Sequence, residues 1–367
     1  MSSRSSRFSL LPHLAPFAPF ALFARLAARI PRRARPLLLL LALPALMGVD
    51  APRAPQSRGV AAGVPPSIAN VPLGATVGEF ADPFILRDGS SFVAFATGVH
   101  GKNVQIARST DLNAWTALPD ALPSLPAWAA HDSQGLTWAP SVLRRTGKYV
   151  LYYTAPDSVS GFQCISRAVA DAPEGPYTDD STKPFVCDAQ LCGAIDPSPF
   201  VDEAGRAYLL WKSDENAVRC RGASRLWAQP LAADGLAVTE SPSALLTMDR
   251  AWERPLVEGP SMIQRDGRYL LFYSANWYES ADYAVGYAIC THPLGPCEKK
   301  TLDAPLFHST GAMLGPGGQE FFEDASGATW MAFHAWSAPA TTYAGGGARA
   351  LRVARLTFTD GVPRLAR

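Results

Sequence analysis

The sequence predicts an all-β fold, a five-bladed β-propeller whose blades are four-stranded antiparallel sheets. A proline-led apolar motif returns five times, at Pro83, Pro140, Pro197, Pro260 and Pro316. Successive prolines are 57, 57, 63 and 56 residues apart, and a long, nearly fixed period is typical of repeat architectures. Each motif leads through a glycine turn into an aromatic run, as short strands joined by hairpins do.

Each repeat supplies the strands of one blade in the same order. The proline-led motif forms the first strand, since proline lacks the amide donor of a ladder and stands at the start or edge of a strand. The aromatic run after the turn forms the second strand, as at residues 149–153. A third strand follows, as at residues 285–289, and a fourth completes the blade. A β-sandwich also has short, evenly spaced strands, but it would not repeat one motif five times.

We divide the chain into a leader over residues 1–55, a linker over 56–70 and the propeller over 71–367. Arginines at 32, 33 and 35 precede an apolar run at 36–47, and this order is typical of a secretory signal peptide. The run is short for a membrane span, so a single anchor is the weaker alternative. We expect a secreted or periplasmic protein without stable membrane association, cleaved between about Met47 and Gly63.

The charge distribution argues against a nucleic-acid partner. The leader holds eight arginines and one acidic residue, Asp50, which leaves 25 basic and 31 acidic residues in the remainder. The folded part therefore has a formal charge near −6 and no basic stripe for a polyanion. We expect a monomer whose partner is a polysaccharide or an oligosaccharide.

Six cysteines lie in the folded part, and an even number in an exported chain favours disulfides. None has the CxxC spacing of a zinc site. Fifteen connectivities are possible from the sequence alone. We prefer the connectivity whose three pairings close short loops within or beside one blade, namely Cys290–Cys297, Cys164–Cys187 and Cys192–Cys220.

The repeats differ at the positions beside the prolines, and candidate catalytic residues stand there. Asp82 and Asp196 precede the proline in blades one and three, and Glu258 stands one position earlier in blade four. The first strand of each blade lines the central channel of a propeller, so these three carboxylates should meet at one mouth. Clustered like charges repel one another and do not assist folding, so we interpret the cluster as a site.

These motifs resemble those of glycoside hydrolase family 43, five-bladed propellers that cleave arabinose- and xylose-containing polysaccharides. The resemblance runs from about Val71 to the C-terminus. It rests on Ala81-Asp82-Pro83-Phe84, Ser109-Thr110-Asp111-Leu112 with Trp115, Trp138-Ala139-Pro140-Ser141, Ala194-Ile195-Asp196-Pro197-Ser198 and Val257-Glu258-Gly259-Pro260. It implies that Asp82 is the general base, Asp196 the pKa modulator and orienting group, and Glu258 the general acid.

One motif departs from the family pattern. The blade-five motif usually reads Gly-Pro-Gly-His, whereas here it is Gly315-Pro316-Gly317-Gly318-Gln319. A substrate or metal contact near Gln319 is therefore in doubt.

Glycosidic cleavage needs an acid to protonate the leaving oxygen and a carboxylate on the opposite face. A separation of roughly 6.5–9.5 Å admits the attacking water and gives inversion, and opposite sides of a propeller mouth suit that spacing. We therefore expect inversion, and the resemblance implies an exported glycosidase acting on arabinan, arabinoxylan or xylan. An ionised Asp196 should keep Glu258 protonated near neutral pH by repulsion.

Loops after the second strands should cover the same mouth, and aromatic side chains there can bind sugar rings through C–H contacts. The candidate substrate contacts are Trp138, Trp277, Tyr278 and Trp336, although each could instead pack between blades. His334 ends the second strand of blade five and resembles the family's axial histidine beside a calcium ion. A structural calcium ion in the central channel is thus the expected cofactor, with no organic cofactor, and a core histidine is the alternative.

Two other functions remain as alternatives. A carbohydrate-binding propeller would keep the pocket without turnover, but the intact Asp82, Asp196 and Glu258 argue against it. A related five-bladed glycosidase acting on fructans or mannosides would carry Asn-Asp-Pro-Asn and Arg-Asp-Pro motifs, which this sequence lacks. Endo or exo action and the choice of pentose stay open.

Overall fold

The structure, a computed structural model, describes residues 78–99, 101–131 and 136–366, so the predicted leader and linker lie outside the described residues. Its strands form five antiparallel sheets. The first contains β1 (Phe84–Asp88), β2 (Ser91–Ala96), β3 (Gln105–Ser109) and β4 (Thr116–Ala117). The second contains β5 (Trp138–Arg145), β6 (Lys148–Pro156) and β7 (Gln163–Ala170).

The other three sheets have four strands each. The third contains β8 (Ala194–Val201), β9 (Ala207–Ser213), β10 (Arg225–Pro230) and β11 (Ser243–Thr247). The fourth contains β12 (Val257–Arg265), β13 (Arg268–Ala275), β14 (Ala284–Cys290) and β15 (Cys297–Lys299). The fifth contains β16 (Met313–Glu323), β17 (Thr329–Ser337), β18 (Arg349–Thr359) and β19 (Val362–Leu365).

The sheets close into a ring. The first strands β1, β5, β8, β12 and β16 contact one another in sequence, and β16 contacts β1 again. The predicted five-bladed propeller is therefore confirmed. Two short 3₁₀ helices, Ala189–Leu191 and Ala251–Glu253, lie between blades. In the part of the chain that the structure describes, no helix is long and apolar enough to cross a bilayer.

Blade two differs from the other four in its outer edge. Where a fourth strand is expected, the chain makes isolated antiparallel bridges to β7, one between Ile165 and Val186 and one between Val169 and Thr178, the latter with N–H donations of 2.9 and 3.0 Å in the two directions. Pro173, Pro176 and Pro184 withhold amide donors on both sides of this second bridge, which limits a longer ladder.

The hydrophobic core lies between the blades rather than at a single centre. Five buried clusters fill the five interfaces between neighbouring blades. Successive side chains of a strand point to opposite faces. In β2, Val93 and Phe95 pack against blade two, whereas Phe92 and Ala94 pack against blade five. The repeated second strands are apolar on both faces. Each blade therefore packs against both of its neighbours.

The three preferred cysteine pairings are confirmed as disulfides, Cys164–Cys187, Cys192–Cys220 and Cys290–Cys297. The last of these joins two directly paired residues of β14 and β15.

Removing the longer of two bridges should cost more stability. The Cys192→Ser/Cys220→Ser variant should lose about 3 kcal/mol of unfolding free energy, and Cys290→Ser/Cys297→Ser about 2 kcal/mol, because a longer closed loop constrains the unfolded chain more. The sequence separations are 28 and 7 residues. Urea unfolding of both variants measures the difference, and a reversed order would contradict this origin of the stabilisation.

Candidate active site

The residue before the repeated proline has a left-handed backbone in every blade. The φ angle is 51° at Asp82, 44° at Ala139, 54° at Asp196, 55° at Gly259 and 54° at Gly315. In blades two to five the ladder between the first two strands shifts register at this point. A bulge of this kind re-aims nearby side chains, and it often lies next to active sites.

Three of these positions carry a side chain where glycine would be less strained, and two of the three are the aspartates Asp82 and Asp196. A left-handed conformation costs a non-glycine residue roughly 1–2 kcal/mol, and Asp82 and Asp196 both adopt it. The equivalent positions Gly259 and Gly315 avoid that strain. Since the fold accepts glycine here, the two carboxylates serve something other than folding, as strained residues at functional sites do.

The carboxylates open into one cavity of about 480 Å³. Asp82, Asp196 and Glu258 all line it, so the structure brings together the three residues that the sequence predicts to converge. Pockets of about 300–1,000 Å³ are usual for small-molecule ligands. The cavity is therefore large enough to enclose a short saccharide segment.

Asp82 is held as an anion. Thr97 donates to its Oδ2 at 2.6 Å, and Nη1 of Arg349 lies 3.6 Å from its Oδ1. Burial acts to raise the pKa of Asp82, but the Arg349 charge, the His334 ring and the Thr97 hydroxyl together hold that pKa well below its ordinary value. An ionised carboxylate at neutral pH is the state that a general base requires.

Sequence reasoning missed Arg349, which lines the cavity at the start of β18. Its backbone N–H donates to Glu79 at 2.8 Å, and its Nε donates to the Tyr343 hydroxyl at 2.8 Å. Its guanidinium lies 4.9 Å from the centre of the Tyr278 ring. The one signal for this residue in the sequence is its place at the start of the apolar run that forms β18.

Asp196 and Glu258 lie near enough for the charge of one carboxyl to act on the other. The Gly259 N–H donates to Oδ2 of Asp196 at 2.9 Å, and the Tyr283 hydroxyl donates to Oε1 of Glu258 at 2.8 Å. Burial and the negative charge of Glu258 raise the pKa of Asp196 to about 7. The structure therefore differs from the expectation of a fully ionised Asp196, because a carboxyl with a pKa of about 7 is partly protonated near neutral pH.

Two more ionisable side chains, which no sequence motif predicts, line the cavity. Lys212, on β9, is 2% exposed and lies beside Glu258. Glu320, on β16, has its pKa raised to about 8 by burial, so its carboxyl is mostly protonated at neutral pH.

Three of the four predicted aromatic contacts line the cavity, namely Trp138, Trp277 and Tyr278. The neighbouring rings of Trp277 and Tyr278 lie 5.1 Å apart, and Trp277 is 45% exposed. The prediction for Trp336 is corrected, because this side chain is fully buried and does not line the cavity. Its indole N–H donates to the Tyr278 carbonyl at 2.7 Å, so it supports the backbone of Tyr278 from behind.

His334 lies buried beneath Asp82 and outside the cavity lining. Its Nδ1 is 3.1 Å from the backbone nitrogen of Asp82 and 3.3 Å from Oδ1 of that residue. Its Nε2 is buried without a hydrogen-bond partner among the described residues. The Asp82 backbone N–H donates to Nδ1, so the neutral ring carries its proton on Nε2, which suits a water molecule, whereas a metal ion at Nε2 would require the proton to move to Nδ1.

The departure in the blade-five motif has a steric reason. A Cβ at Gly318 would lie 2.6 Å from Nδ1 of His334 and 2.9 Å from Oδ1 of Asp82, so this position has no room for a side chain. Gln319, which follows, is 1% exposed and donates to the Gly259 carbonyl at 2.7 Å while accepting from Ser274. Gln319 thus ties blade five to blade four.

Comparison with known proteins gives the same fold and a family. A thermostable family-43 glycoside hydrolase superimposes with a TM-score of 0.70 at 25% identity, covering 81% of this chain and 95% of that one. An endo-1,4-β-xylanase from Bacteroides thetaiotaomicron superimposes with a TM-score of 0.67 at 27% identity, covering 81% of this chain and 97% of that one.

Sequence relatives are more distant and of differing length. A protein from Xylanibacter ruminicola that carries the name beta-xylosidase is 24% identical over 261 residues, 70% of this chain but 45% of that protein. An extracellular endo-α-(1→5)-L-arabinanase from Bacillus subtilis is 22% identical over 255 residues, covering 65% of this chain and 76% of that protein. This chain thus spans about half the length of the first relative.

The model of the glycosyl hydrolases family 43 matches residues 75–363, which include all five blades and the three cavity carboxylates. The chain belongs to glycosyl hydrolase family 43.

Proposed function

We propose that this protein is an inverting glycosidase that hydrolyses arabinose- or xylose-containing polysaccharides or oligosaccharides. The observation that carries the proposal is the difference in charge state among three carboxyls of one cavity. Asp82 is held ionised, whereas burial and the neighbouring Glu258 charge raise the pKa of Asp196 to about 7. Relatives named as a β-xylosidase and as an arabinanase support the class of substrate.

In the proposed reaction, Asp82 takes a proton from a water molecule that attacks the anomeric carbon. Glu258 gives its proton to the glycosidic oxygen as the bond to the leaving sugar breaks, and one step of this kind inverts the configuration. Asp196 orients Glu258 by accepting the backbone N–H of Gly259, the residue that follows Glu258. Trp277 and Tyr278 offer aromatic faces to the sugar rings.

Product analysis tests the proposal. The purified protein is incubated with linear arabinan, arabinoxylan, xylan and aryl pentosides, and released sugars are separated by chromatography. Pentose or pento-oligosaccharide products are expected from at least one polymer. Binding to these polymers without any product would instead favour the carbohydrate-binding propeller.

Asp196→Asn should lower activity and move the alkaline limb of the pH–rate profile to lower pH. The charge of Asp196 makes it harder for Glu258 to ionise, so its removal lets Glu258 lose its proton at a lower pH. The kcat of both proteins on an aryl pentoside, measured across the pH range, gives the two limbs. An unchanged or raised alkaline limb would contradict the coupling between the two carboxyls.

Export and a bound calcium ion are further proposals. The three disulfides suit an oxidising compartment, and the arabinanase relative is named extracellular. A calcium ion in the channel would be held by Nε2 of His334 and would supply positive charge beneath Asp82. The described residues contain no group of three or more His, Cys, Asp or Glu that could hold a metal ion. We retain the monomer as the proposed state.

A further inference from the structure

We propose that Lys212 is a positioning residue that fixes the Glu258 carboxyl in the cavity and places a buried positive charge beside it. This inference rests on the proposed function, in which Glu258 is the general acid.

Lys212 is a buried cation in the wall of the cavity. It lies on β9, directly opposite Ile195 of β8, and Ile195 is the neighbour of Asp196. Its side chain is 2% exposed, with Nζ 3.3 Å from Oε2 of Glu258 and 3.4 Å from Oδ1 of Asp214. A buried ammonium is stable only with such partners. Lys212 therefore bridges the proposed acid to a second carboxylate on its own blade.

The two oxygens of Glu258 are held from two neighbouring blades. Lys212 in blade three approaches Oε2, and the hydroxyl of Tyr283, which precedes β14 in blade four, donates to Oε1 at 2.8 Å. Tyr283 is itself 2% exposed and stacks on the His334 ring at 5.9 Å. Rotation of the Glu258 carboxyl would break one of these contacts, so the pair of donors fixes its direction.

The charges around Glu258 give Lys212 its second effect. The groups that act on the Asp196–Glu258 pair from the surrounding blades are Asp82, Lys212, Asp214, Tyr283 and Glu320. Burial and repulsion between carboxyls favour the protonated form, whereas the Lys212 charge favours the ionised form. A general acid works best when its pKa lies near the working pH. Lys212 therefore acts against the effect of burial on the charge of the pair.

A lysine that only supported the fold would have no such effect on the pair. Two variants separate the roles because they change the local charge in opposite directions. Lys212→Met removes the cation, so the alkaline limb of the pH–rate profile should move up by about 1 unit or more. Asp214→Asn removes an anion and leaves Lys212 to act on Glu258 alone, so the same limb should move down.

The matched control is Lys299→Met. Lys299 is also buried, and its Nζ lies 2.7 Å from both Asp249 and Glu253, none of which lines the cavity. This variant should lower the thermal unfolding midpoint but leave the alkaline limb where it is in the unchanged protein. If Lys299→Met moved the alkaline limb as far as Lys212→Met does, the effect would follow from the loss of any buried lysine and would contradict the role of Lys212.

The second measurement needs no substrate. Carboxyl ¹³C NMR titration of the folded protein, with Asp196 and Glu258 assigned by their Asn and Gln variants, follows the pair directly. The highest apparent pKa of the pair should rise in Lys212→Met and fall in Asp214→Asn. No shift, or shifts in the same direction, would overturn the role of Lys212. Opposite shifts in a protein without hydrolytic activity would support it while refuting the proposed function.

Discussion

Glu258→Ala is expected to lower kcat on a polysaccharide by about 10²–10⁴-fold, since a general acid contributes that much. On an aryl pentoside with a good leaving group the loss should be far smaller, because a stable phenolate departs with little protonation. The comparison requires kcat for both proteins on arabinoxylan and on a nitrophenyl pentoside. Equal loss on both substrates would contradict the assignment of Glu258 as the acid.

The matched control for this variant is Asp266→Asn. Asp266 is an exposed acid at the hairpin turn between β12 and β13, on the same first-strand hairpin as Glu258 but away from the cavity. Asparagine tolerates its positive φ of 50°. This control should keep the kcat of the unchanged protein on both substrates.

Asp82→Ala is expected to lower kcat by a similar factor, about 10²–10⁴-fold, on the polysaccharide and on the aryl pentoside alike. A better leaving group cannot help, because the attacking water still lacks its base. The same two assays measure it, with the thermal midpoint as a check on folding. A selective recovery on the aryl substrate would show that Asp82 acts on the leaving group instead.

The propeller and its three cavity carboxylates could be predicted because they stand in a repeated frame. The five prolines mark the first strand of each blade, and the residues beside them take the same left-handed turn toward the channel. Any side chain that breaks the repeat at this place must therefore face the same mouth. Asp82, Asp196 and Glu258 are such breaks.

The remaining cavity residues have no comparable frame. Lys212 ends an apolar second strand, Arg349 begins a third strand, and Glu320 lies far along β16. They meet the carboxylates only because the ring of blades closes, which no local pattern records. Trp336 was expected at the mouth because it lies near the end of a second strand. Its side chain instead packs behind the segment that carries Tyr278, and the sequence pattern does not distinguish these two positions.

The stereochemistry of hydrolysis tests the central claim most directly. Proton NMR of an aryl pentoside digest, recorded before mutarotation, identifies the anomer that is released first. A base and an acid on opposite faces of the sugar predict inversion at the anomeric carbon. Retention would contradict the account, because it requires a carboxylate nucleophile and a covalent glycosyl intermediate in place of the Asp82-activated water.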